Sequence, residues 1–238
     1  IDHHHLKNPD APKIDFVKIR VPSYNVPLGS LIPEKIADFI VAEKSISVSN
    51  IVAGATRLQP VVLGIGQAAG VLAALSAKQA VTPKDLSLRE VQQVLLDHHA
   101  YLMPFIDVDP KDSWFQAIQR VGATGILKGR GVPYKWANQT WFYPEHRISE
   151  VDLIDGMRSY YPVADKVAGS GADVTAEFFA ALLLQVDPTL NKDKIRSVIA
   201  AKENQVLTRA QVAVVLDHIL KPFERPVDFT GQFIATKN

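Results

Sequence analysis

Val61 to Leu75 reads VVLGIGQAAGVLAAL, and its interpretation decides the fold of the first half of the chain. An apolar run leading into Gly64, Gly66 and then Ala69 or Gly70 has the outline of a phosphate-binding loop between a strand and a helix. Such a loop requires a second strand about twenty residues on, ending in an acidic side chain that can reach a ribose. At that distance stands TPKDLSLREV (82–91), which is a turn and a fresh helix start. The apolar positions Leu58, Val62, Ile65, Ala69, Leu72 and Leu75 recur at spacings of three and four, the period of one helical face, and Pro60 suits a first turn. The reading is therefore a helix over 58–78 with its glycines inside. Glycine costs about 1 kcal/mol relative to alanine in a helix, so these positions imply close approach by another backbone or a ligand. For Gly70, with Ala69 and Ala73, tight packing against a sheet is expected.

Upstream, DFVKIRVPSYNV (15–26) alternates apolar and polar residues at the period of a half-buried strand, with Pro22 and Pro27 confining its end to an edge or bend. Turns are expected at Gly29 and Pro33, and a buried strand over Phe39–Val48. Downstream, Ser87 with Glu90 forms the pattern of a capping box, opening a helix whose apolar face is Leu88, Val91, Val94 and Leu95. Composition shifts at PFIDVDPKDSW (104–114), which divides the chain into segments 1–103 and 104–238. The second segment reads as helices over 114–124, 149–160, 174–185, 192–201 and 208–220, with an aromatic loop, GRGVPYKWANQTWFYP (129–144), after the first. The fold class is α+β: strands and a long helix first, then a mostly α-helical domain.

The 238 residues carry a formal net charge of +1 and are 47% hydrophobic, an ordinary globular balance. Lysines and arginines form no stripe, which argues against nucleic acid, and the apolar runs read as too broken by charge to span a membrane. The absence of cysteine excludes disulfides, thiolate metal sites and a thiol nucleophile. No metal site is expected. The chain opens at Ile1 without a secretory leader and reads as a mature product or a fragment.

Three stretches, IDHHH (1–5), VPLGSLIPEKIADFIVAEKSISVS (26–49) and GATRLQPVVLGIGQAAGVLAAL (54–75), resemble in consistent order the C-terminal end of FAD-dependent oxidoreductases of the glutathione-reductase-like fold. The likeness runs to about Leu96 and lies in the bacterial branch labelled as xanthan lyases. It implies that the long helix points its N-terminus at a flavin, so that Ala55, Thr56, Arg57, Leu58, Gln59 and Pro60 line the cofactor. A helix N-terminus suits an anionic ring or phosphate on physical grounds as well. The likeness also places His4 where relatives carry a site histidine able to move a proton. Two positions depart from the pattern: Glu43 stands where a glycine is usual, and Asn50 where a histidine is. The phosphate-binding opening of such a domain has no counterpart in the chain, so FAD belongs to a longer protein whose missing N-terminal half is the expected partner. This chain alone is expected to be inactive. No set of Tyr, His and Asn supports lyase chemistry.

FIDVDPKDSWFQAIQRVGATGILKGRG (105–131) with FYPEHRISEVDLI (142–154) resembles an S-layer homology module, and QVLTRAQVAVVLDHIL (205–220) echoes its helix-opening motif at Thr208, Arg209, Ala210 and Gln211. The first copy reads Ile148, Ser149, Glu150 and lacks the motif's arginine, which favours a structural cap over wall anchoring. Asp107 and Asp109 are expected to cap the first helix, with Ala117, Ile118 and Val121 packing it. Trp136 and Trp141, with Phe142 and Tyr143 and the neighbouring Arg130 and Lys135, have the character of a glycan-stacking set, whereas Trp114 reads as core. The functional expectation is hydride transfer from a polar substrate, a carbohydrate among the candidates, to flavin in an exported oxidoreductase at the periplasm or cell surface. The alternative is a glycan- or partner-binding helical module without enzymatic activity.

Overall fold

The computed structural model describes residues 23–134 and 137–234, which fall into two compact units, one reaching to Ala100 and rejoined by the stretch from Pro226, the other spanning Tyr101–Arg225. The architecture is mixed α and β.

In the first unit, Ser49 accepts a hydrogen bond from the Val52 amide and so opens α1 (Asn50–Thr56). Arg57, still helical in conformation, and the extended Leu58 separate it from α2 (Gln59–Gln79), which has proline in its first turn as expected. Val62, Ile65, Ala69, Leu72 and Leu75 are the buried face of α2, the stripe that the spacing predicts. Leu58 is not part of it, since at the N-cap its side chain is 56% exposed. Helix α3 (Leu88–Asp97) packs against α2 through Val91, Leu95 and Leu96. Its cap is half of the expected box: Ser87 accepts from the Glu90 amide, but the Glu90 carboxylate accepts instead from Gln79 at 2.7 Å.

The glycines of α2 correct a second expectation. Among the described residues, a side chain added at Gly64, Gly66 or Gly70 would meet nothing within 4 Å, so no described sheet packs on them. Nor is the run over 59–77 broken by charge: α2 is long and apolar enough to cross a membrane by length and composition. The strand expected over Phe39–Val48 is absent too. That segment runs irregularly with a 3-10 turn at Glu43–Ser45, and Phe39 is 52% exposed. Its backbone donates from Val41 to the Leu31 carbonyl and from Ser47 to that of Ser30, too sparse a set for a ladder. Glu43 has φ 59°, a left-handed conformation that favours glycine and gives the glycine expected there a physical reason. Of the strand expected over 15–26, residues 15–22 lie outside the described residues, and Ser23–Val26 is not a strand.

All regular strand among the described residues belongs to the second unit. The expected aromatic loop is an antiparallel hairpin, β1 (Arg130–Tyr134) with β2 (Ala137–Trp141), in which Arg130 pairs with Trp141 and Val132 with Gln139. The helices of this unit are α4 (Phe115–Thr124), α5 (Glu150–Met157), α6 (Ala176–Val186), α7 (Lys192–Ile199) and α8 (Arg209–Ile219), close to the predicted spans. Ala117, Ile118 and Val121 are buried as expected. Trp114 is the N-cap residue of α4 and only half-buried, although its indole N–H is enclosed without a hydrogen-bond partner. Asp107 and Asp109 do not cap α4. The Asp107 carboxylate accepts from the amides of Phe142 and Tyr143 at 2.7 and 2.6 Å, and that of Asp109 accepts from the Lys111 amide.

The two echoes seen in sequence are three in space. Ser149, Thr175 and Thr208 each cap a helix by accepting from the amide three residues on, and Thr208 with Gln211 completes a full capping box. The preceding residues Ile148, Val174 and Leu207 are 4%, 0% and 0% exposed. Glu150 and Val151 donate to the carbonyls of Ala172 and Ser170, Ala176 and Glu177 to those of Gln205 and Glu203, and Arg209 and Ala210 to those of His146 and Pro144. Each motif thus donates to the next and the third to the first, closing a ring. Arg120 and Asp217 tie α4 to α8 by a bidentate pair at 2.6 to 3.1 Å, with the Asp217 side chain 6% exposed. Burial pushes the Tyr161 hydroxyl up to about 12, so it stays protonated and its O–H donates to the Leu220 carbonyl.

Candidate functional site

The predicted cofactor-lining residues form the corner between α1 and α2. Thr56 ends α1 and turns inward: it is 2% exposed and its hydroxyl donates to the Val52 carbonyl at 3.3 Å. That hydroxyl is occupied within its own helix. The carbonyl of Ala55 accepts from the Leu58 amide and fixes the bend. Arg57, Leu58, Gln59 and Pro60 are all exposed, so four of the six residues present themselves to solvent around the first turn of α2. Leu58 provides no side-chain cap to that turn, and Pro60 contributes no N–H. The corner offers the positive end of a 21-residue helix with a guanidinium beside it, an arrangement that favours an anionic or electron-rich group. His4 lies outside the described residues, and Asn50 is exposed at the first position of α1.

These residues suit contact with one edge of a flavin and no more. A dinucleotide's phosphates need a glycine-rich strand-to-helix turn. Among the described residues, the glycines of the first unit that resemble one are interior to α2. Among the described residues no group of three or more His, Asp or Glu is placed to bind a metal.

A second cluster lies in the other unit, where Trp136 is outside the described residues but Trp141 is at the end of β2. The Trp141 and Tyr143 rings stack with centroids 5.7 Å apart at 18°, and Tyr143 and His146 at 4.7 Å and 23°. Trp141 and Tyr143 are half-buried and His146 is exposed. Phe142, grouped with them in sequence, faces the opposite way: it is wholly buried, tilted against Phe105, with the Arg209 guanidinium 4.6 Å from its ring centre. Arg209 also donates to the carbonyls of Phe142 and Lys128 at 2.7 Å, and burial lowers its pKa. The arginine of the repeated motif is thus committed to holding this segment in place. His146 was not legible as a member of the cluster, because nothing in PEHR signals that the chain doubles back onto Tyr143.

A family model described as FAD dependent oxidoreductase matches residues 1–95, the stretch that contains the α1–α2 corner and nearly all of α3. No characterised protein and no solved structure matches the chain. An FAD oxidoreductase-like segment is therefore present over the first two fifths of the sequence.

Proposed function

We propose that residues 1–95 are the closing part of an FAD-binding oxidoreductase domain and that the protein acts by accepting hydride from a polar substrate. The match over residues 1–95 carries this reading. When bound, FAD would supply the redox chemistry as hydride acceptor. The chain's own contribution would be orientation and electrostatics. The α2 N-terminus and the exposed Arg57 would stabilise negative charge developing on the ring, Gln59 would offer an amide to its polar edge, and Leu58 and Pro60 would exclude water from one side. Thr56 would act only by holding the corner, through its bond to Val52. His4 would be the residue placed to move the substrate proton. A carbohydrate substrate, an exported location and the xanthan-lyase branch are narrower forms of the same reading, carried by sequence resemblance alone.

The test is purification of the protein with the coding sequence that surrounds this chain. A yellow product with flavin absorbance is expected, and replacing Arg57 and Gln59 together by alanine should lower flavin retention while leaving far-ultraviolet dichroism unchanged. A colourless product that takes up no added FAD would overturn the proposal.

A further inference from the structure

We infer that the C-terminal loop over 226–234 is a clasp on the first unit, and that it positions the α1–α2 corner through the segment leading into that corner. The importance of the corner rests on the flavin reading, whereas the clasp is a property of the chain's own contacts. The loop is closed on itself. Val227 and Phe233 form an antiparallel bridge, the Asp228 amide donates to the Gln232 carbonyl at 2.9 Å, and the Ile234 amide donates to that of Pro226 at 3.1 Å. The Asp228 Oδ1 accepts from the Thr230 hydroxyl and from the amides of Thr230 and Gln232 at 2.6 to 3.0 Å, and Gly231 takes the left-handed φ of 85° that the turn needs.

Chain ends are poorly ordered unless tied down, and an isolated hairpin is marginal in water. This one is tied to the 3-10 turn Leu28–Leu31. A Cβ placed on Gly29 would lie 3.1 Å from the Phe229 carbonyl oxygen and 3.6 Å from the Phe229 Cβ, so the loop rests on that turn at the position without a side chain. Val227 is buried and Phe229 half-buried. From the turn the contacts run on toward the corner. The carbonyls of Ser30 and Leu31 accept from the amides of Ser47 and Val41 at 2.8 Å, and these two bonds hold a segment that has no ladder of its own. Within that segment the turn Glu43–Ser45 packs against α2 and Ile46 is buried. Two residues after Ser47 stands Ser49, which opens α1. The seat of Phe229 on Gly29 is accordingly a positioning contact for the bend at Leu58, supplied from the far end of the sequence.

Amide hydrogen exchange on the full chain, resolved residue by residue, tests this without flavin, so its failure is distinct from that of the flavin reading, which fails on a colourless product. Asp228→Ala removes the acceptor that closes the loop and should speed exchange about tenfold at Val41, Ser47 and Leu58, with the amides of α4 to α8 unchanged. Asp228→Asn keeps an Oδ1 acceptor and should restore most of the protection. Gly29→Val, which pushes the loop away from the other side, should match Asp228→Ala, and the two together should add little to either alone. Open-chain exchange rates at these amides in the unaltered protein, unchanged exchange at Val41 and Ser47 in Asp228→Ala, acceleration that stops short of Leu58, or fully additive effects of the two substitutions would each overturn the proposal.

Discussion

Gly70 and Gly156 both stand inside helices, one in each unit, and for opposite reasons. A Cβ at Gly156 in α5 would overlap the backbone carbonyl oxygen of Ile126, so the absence of a side chain lets helix and loop touch. A Cβ at Gly70 in α2 would meet nothing within 4 Å among the described residues. The second unit uses small residues to pack, as at Gly122, where the Phe105 ring edge comes within 2.7 Å of the added carbon. The first unit carries small residues along an outward face that also shows Leu63 at 73% exposure. Composition alone does not distinguish the two uses, since both are glycines among aliphatic residues at helical spacing.

Substitution can break or sharpen that contrast. The largest effect is expected for Gly156→Ala, which forces backbone apart from backbone and should destabilise the second unit by about 4 kcal/mol. Native-state hydrogen exchange would report it as lost protection in α4 to α8 with α2 and α3 unchanged, and a loss below about 1 kcal/mol would mean that α5 yields without cost. Asp217→Ala comes next, at about 3 kcal/mol, because it leaves the Arg120 guanidinium half-buried opposite an empty partner position. Equilibrium denaturation measures it, and a double variant with Arg120→Ala should recover part of the loss. Smallest and of opposite sign are Gly64→Ala and Gly70→Ala, each expected to stabilise α2 by about 1 kcal/mol through helix propensity. A destabilising result at either would show that another backbone approaches this face in solution, and so would make the two glycine environments alike.

What could be read in the sequence follows the same division. Helices were legible wherever one face alternates with solvent at a fixed period, as in Val62 to Leu75, and wherever Ser or Thr opens them, as at Ser149 and Thr208. Helix α1 was not, since NIVAGAT is one short apolar run whose only local signal is Ser49. The hairpin was missed because Pro133 stands inside β1 and no tight-turn pair marks its tip. The strand over Phe39–Val48 failed for a non-local reason. β-Propensity describes fitness for a sheet, and no neighbouring strand is available to it among the described residues. At the sites, the exposure of Arg57 to Pro60 followed from their place at a helix start. The inward turn of Thr56, the support from Asp107 and the arrival of His146 at Tyr143 depend on contacts that spacing does not encode.

The ring of three capped motifs has a consequence for the order in which the protein is made. Its closing bonds join Arg209 and Ala210 to carbonyls at His146 and Pro144, more than sixty residues earlier in the chain. While a ribosome extends the chain, the first motif must wait with those carbonyls facing water, and the second can satisfy only its neighbour. The ring closes last, when Thr208 and the helix behind it emerge, because the bonds of both the second motif and the first's carbonyls wait for residues 203–210.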